Sequence, residues 1–108
     1  MNVLLDENIP RKLQWRLTER GSEVVTVPDR GWAGDTNGEL LHRADGEFDA
    51  PLTMDQGIEY QQNIQDRSLG IVTFVASDTE YEMLLPLVPD IESALQELEV
   101  GRVVSVKP

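Results

Sequence analysis

The chain contains no cysteine. Disulfides, thiolate-bound zinc and a cysteine nucleophile are therefore excluded. Positive charge is scarce: nine Lys and Arg stand against twenty Asp and Glu in 108 residues, a formal net charge of −11. A protein that holds nucleic acid chiefly by neutralising phosphates needs clustered cations, so this balance argues against that kind of binder. No apolar run approaches the length needed to span a bilayer. The start, Met1 to Glu7, lacks the basic residues and small-residue cleavage site of a signal peptide, and the expected location is the cytoplasm. There is no glycine-rich phosphate loop and no Gly-x-Ser-x-Gly elbow. Repeats, low-complexity tracts and linkers are absent too, so residues 1–108 read as one domain with one modest core. The abundant acid leaves two roles open. It serves divalent cations, or it aids solubility and meets a basic partner.

The apolar pattern alternates between two periods. Val3-Leu4-Leu5 is a continuous run ending in Asp6, as suits a strand buried on both faces of a parallel sheet. Asn8 is read as an N-cap and Pro10 as a first-turn residue of a helix whose Ile9, Leu13 and Leu17 share one face, with Gly21 as its stop. Glu23 to Val27 is a β-branched second strand, and Pro28 to Asp35 a loop around Trp32. Thr36-Asn37-Gly38-Glu39 has the form of a capping box before a short helix with Leu40, Leu41 and Ala44. Phe48 to Met54 reads as a third strand, although Pro51 argues against a central position. A short helix or irregular segment covers Gln56 to Ile64, and Gly70 to Val75 is a fourth strand. Ser77 or Asp78 is expected to cap a helix with Met83, Leu84 and Leu85. Pro86 and Pro89 break it before Ile91, Leu95 and Leu98 resume helical spacing. Val103 to Val106 is a last strand. Connections of this length favour parallel pairing, so the fold class is α/β: a three-layer α/β/α sandwich with a mainly parallel sheet.

Ligand sites in open parallel sheets form beyond the carboxyl ends of the strands. Asp6 and Glu7 end the first strand and Asp55 the third, while Glu39 opens a helix that leans over the same edge. Carboxylates gathered without cations repel one another, and a hard divalent ion removes that cost. Each residue has a plainer role beside this one. Asp6 caps a turn, Glu39 completes a capping box, and Asp55 starts the turn at Gln56-Gly57. Glu7 is expected to point away from Asp6. His42 is expected at the surface, and Trp15 and Trp32 as packing anchors rather than base-stacking platforms.

The run Leu4-Leu5-Asp6-Glu7-Asn8-Ile9-Pro10 resembles the opening of a family of short single-domain PIN-like proteins. Gly31-Trp32-Ala33-Gly34 with Asn37-Gly38-Glu39-Leu40-Leu41 is similar to its middle motif. Leu52-Thr53-Met54-Asp55-Gln56 is similar to its strand-end motif, and Leu84 to Pro89 to its last helical region. The resemblance implies a metal-dependent nuclease, often the RNA-cutting toxin of a toxin–antitoxin pair. Asp6, Glu39 and Asp55 are then the catalytic and metal-binding residues, with Mg²⁺ or Mn²⁺ as the ion. RNA is the implied substrate and an antitoxin protein the implied partner; the oligomeric state is left open by the sequence, with a homodimer as one option. Two departures stand out. Gly57 occupies a position where many relatives carry a second aspartate, and Asn37 one where an acid often precedes the helix glutamate.

Three functional classes follow. The first is a Mg²⁺- or Mn²⁺-dependent ribonuclease, for which Arg11, Lys12, Arg16 and Arg20 on the first helix form the richest basic cluster. That cluster also reads as a solvated face. The second is a non-catalytic acidic interaction module that keeps the fold. The third, ranked last, is a phosphoacceptor at Asp55 beside Asp6 and Glu7, for which Lys107 is the single lysine near the later strands.

Overall fold

Short apolar runs separated by amphipathic segments become, in the computed structural model, an ordered alternation of strands and helices. The structure describes residues 1–60, 64–75 and 80–107. Strand β1 (Asn2–Leu5) is followed by helix α1 (Leu13–Glu19), strand β2 (Glu23–Thr26), helix α2 (Asn37–Ala44) and strand β3 (Ala50–Thr53). Strand β4 (Ile71–Phe74), helix α3 (Tyr81–Leu84), helix α4 (Val88–Glu97) and strand β5 (Val103–Val106) complete the order. The expected cap at Ser77 or Asp78 lies outside the described residues.

All neighbouring strands pair in parallel, in the order β2-β1-β3-β4-β5. The three-layer architecture is as expected. Side chains of a strand alternate between faces, and β1 divides accordingly. Val3 and Leu5 join a core with Leu13 and Leu17 of α1, Leu84 of α3 and Ile91 and Leu95 of α4. Leu4 joins the opposite core, with Leu40, Leu41 and Ala44 of α2 and with Phe48 and Ile58. Strands β3 and β4 are buried on both faces, which is why their sequences are continuous apolar runs. From β1 the chain passes to β2 on one side and then returns to β3 on the other. A reversal of this kind is where open parallel sheets form a crevice, here beyond the carboxyl ends of β1 and β3. No helix among the described residues is long and apolar enough to cross a membrane.

Four local expectations change. Helix α1 starts at Leu13 without a side-chain cap, so Asn8 is not its N-cap and Pro10 lies in the preceding turn. Ile9 still packs with Leu13 and Leu17, as their spacing predicted. Pro51 stands inside central strand β3, fully enclosed and opposite Leu4. The β3–β4 edge is bonded on either side of it, by the Gly70 N–H to Asp49 O at 3.0 Å and by the pairing from Leu52–Val72 onward, so the ladder is interrupted only at the one N–H that proline lacks. Trp32 is the anchor expected of it, edge-on to Phe48 at 6.1 Å with the Arg30 guanidinium 4.7 Å above its ring. Trp15 is not an anchor: it is 66% exposed on the outer face of α1.

Candidate functional site

The crevice is organised by a threonine. Thr53 ends β3 and is completely buried. Its hydroxyl donates to Asp6 Oδ2 at 2.5 Å. It accepts from the Asp55 backbone N–H at 3.1 Å and from Asn8 Nδ2 at 3.4 Å. One proton and two lone pairs are all a hydroxyl has, so Thr53 is fully engaged. The Asp6 N–H donates to Leu52 O at 2.9 Å, which carries the β1–β3 ladder one residue further and fixes where the Asp6 side chain leaves the sheet. The second Asp6 oxygen accepts from the Glu7 N–H at 2.8 Å. Asn8 closes the arrangement, its Oδ1 accepting from the Met54 N–H at 3.3 Å.

Asp55 is exposed and held from two sides. Its Oδ2 accepts from Asn37 Nδ2 at 2.9 Å and its Oδ1 from the Gly57 N–H at 2.9 Å. A Cβ at position 57 would lie 3.1 Å from Asp55 Oδ1, so glycine allows this close approach of backbone to carboxylate. The two departures from the family pattern, Asn37 and Gly57, are thus both donors to Asp55. Glu7 points away from Asp6, and both its oxygens take the Gly34 N–H at 3.2 and 3.3 Å. It tethers the loop between β2 and α2 to the turn after β1.

Glu39 is held by its own helix. Thr36 is the N-cap of α2, and its N–H and hydroxyl both donate to Glu39 Oε1, at 3.2 and 2.9 Å. The Thr36 backbone bond, then its hydroxyl bond, keep the Glu39 carboxyl below its ordinary value, with Arg43 one turn on adding to the effect. Its capping-box form is therefore the charged one. His42 is exposed on the same helix.

The structure ties the Asp6 carboxylate and the Asp55 backbone N–H to one threonine, and reaches the Asp55 carboxylate from α2 through Asn37, two residues before Glu39. Among the described residues no three His, Cys, Asp or Glu gather closely enough to hold a metal ion. Two carboxylates from adjacent strand ends still suit a hard ion, because Mg²⁺ keeps several waters and binds through one or two carboxylates. Thr53 and Asn8 were missed as site residues. The available signal was a hydroxyl in an otherwise apolar buried run, two residues before a strand-end aspartate.

Comparison with known proteins gives one positive finding. A family model described as a PIN like domain matches residues 1–78, the stretch from β1 past β4 that carries Asp6, Glu39 and Asp55. No curated protein and no solved structure matches the chain.

Proposed function

The chain belongs to the PIN-like domain family, and from that membership we propose that it is a Mg²⁺- or Mn²⁺-dependent ribonuclease, the cytoplasmic toxin of a toxin–antitoxin pair. The observation that carries the reading is the tie made by the buried hydroxyl of Thr53 between the Asp6 carboxylate and the backbone N–H of Asp55, at the sheet's reversal point. Asp6 and Asp55 would hold the ion, and Glu39 would act through water because Thr36 occupies its Oε1. When bound, such an ion polarises a phosphate oxygen and lowers the pKa of a water.

The chain's own residues supply position. Thr53 fixes the rotamer of Asp6, while Asn37 and Gly57 fix that of Asp55. Preorganisation of this kind spares a site the cost of ordering its ligands when the substrate arrives. With Asn37 and Gly57 where relatives often carry acids, the charge near Asp55 suits one ion rather than two.

The test is a labelled-RNA assay with Mn²⁺, with excess chelator, and with an Asp6→Asn/Asp55→Asn variant. The proposal expects cleavage in the first condition alone. Cleavage that survives the chelator would exclude the metal mechanism. A second reading has its own observation in favour: all three carboxylates already have protein donors. A non-catalytic acidic module needs no more than that, and absence of cleavage in every condition would favour it.

A further inference from the structure

Six of the nine Lys and Arg sit within 4.0 Å of a carboxylate among the described residues: Arg11, Arg16, Arg30, Arg43, Arg67 and Arg102. Lys12, Arg20 and Lys107 do not, and two of those three flank α1. Lys12, Trp15 and Arg16 are spaced i, i+3, i+4 and so share one helix face. On that face Trp15 is open to solvent. Tyr81, at the start of α3, is fastened to the same face: Lys12 Nζ lies 5.9 Å from its ring and Arg16 Nε donates to its hydroxyl at 2.9 Å. Beside Arg16 is an open cleft of about 370 Å³ whose walls include Arg20, Leu85, Pro86 and Pro89, with Glu19 as its acidic edge. Cations alternating with aromatic rings therefore run from the turn after Asp6 down to an apolar-walled cleft.

We propose that this face, Lys12–Trp15–Arg16–Tyr81 with the Arg20 cleft, is a track for single-stranded RNA leading to the carboxylate crevice. The choice of polyanion rests on the ribonuclease reading. The physical case is charge complementarity on an otherwise acidic molecule, together with exposed rings. Phosphates are drawn to Lys12, Arg16 and Arg20, and bases stack on Trp15 without regard to sequence. Salt bridges to distant acids do not compete for Lys12, and Arg16 is held at a fixed place between the Tyr81 hydroxyl and the exposed Glu19, 3.6 Å away. A merely solvated basic face has no use for an exposed tryptophan at its centre.

The experiment uses the full chain and a fluorescein-labelled oligouridylate, read by anisotropy in excess chelator at low salt, so that binding is measured without cleavage. Binding is expected to weaken about tenfold or more in Trp15→Ala, since one stacked base is worth that much. Lys12→Ala/Arg16→Ala should bind more weakly still, with the log–log salt slope shallower by about 1.4 for two lost phosphate contacts. Both variants change exposed side chains, so an unchanged melting temperature is expected alongside. Binding by the wild type without any cleavage in Mn²⁺ would retain the track and remove the nuclease. Cleavage unaltered in the track variants would do the reverse. Equal affinity of wild type and both track variants would overturn the proposal, as would tighter competition by poly-glutamate than by unlabelled oligouridylate, which would mark a surface for an acidic protein segment.

Discussion

Two carboxylates stand at strand ends and one in the first turn of α2, and they are held in opposite ways. The Asp6 carboxylate is fixed across the sheet by Thr53, forty-seven positions on, through a hydroxyl with no solvent contact, and the Asp55 carboxylate is reached from α2 by Asn37, eighteen positions back. Glu39 is fixed within three residues by the Thr36 cap. The first arrangement depends on the whole fold and the second on local sequence. A site assembled by long-range bonds keeps its geometry only while the sheet is intact. A capping carboxylate keeps its place even if the site does nothing.

This contrast is broken most directly at Thr53. Thr53→Val keeps the shape and removes the hydroxyl, leaving Asp6 Oδ2, the Asp55 N–H and Asn8 Nδ2 without their shared partner. A destabilisation of about 1.5–3 kcal/mol in urea unfolding is expected, the worth of a hydrogen bond to a charged group, because the Asp55 and Asn8 donors are open to solvent and can turn to water. Thr53→Ser should recover most of it. At the helix, Thr36→Ala should cost less, about 1 kcal/mol, the usual value of an N-cap, and should leave the Mn²⁺ response proposed for Asp6 and Asp55 unchanged. Equal costs at the two threonines would erase the distinction.

Acid titration sharpens the comparison with two glutamates of opposite sign. Glu92 on α4 is almost enclosed, and its Oε1 has no hydrogen-bond partner among the described residues. Burial pushes its carboxyl up, partly offset by Arg20. A raised folded value means stability is fullest below the ordinary carboxylate pKa and is lost as pH rises through the folded value. Glu92→Gln should therefore raise the melting temperature at neutral pH, by no more than about 4 °C, with the gain vanishing in acid. For Glu39 the folded value is lowered. Its contribution is present above the ordinary pKa and is lost as pH falls through the folded one. Glu39→Gln should flatten that acid limb, a smaller effect because the group is exposed. Melting curves between acid and neutral pH measure both.

How much of this was legible follows the same division. The capping box at Thr36 and Glu39 can be read from four consecutive residues because its bonds are local. Strand and helix order could be read because burial imposes a period on each element. Pro51 misled because propensity carries no information on the neighbouring bonds, and here Gly70 N–H to Asp49 O and the pairing from Leu52–Val72 hold the two strands on either side of it. Asn8 looked like a cap because caps are local, whereas its partners are Thr53 and Met54, forty-five and forty-six positions on. Trp15 looked like an anchor because most tryptophans pack. Its exposure is set by which face of α1 meets the sheet, and Leu13 and Leu17 take that face.

The central claim is that Asp6 and Asp55 together form an oxygen site for one hard divalent ion. Titrating Mn²⁺ while recording the melting temperature tests it without any substrate. The wild type should rise with ion concentration along a saturable curve, and Asp6→Asn/Asp55→Asn should stay flat. An identical rise in both proteins would contradict the account.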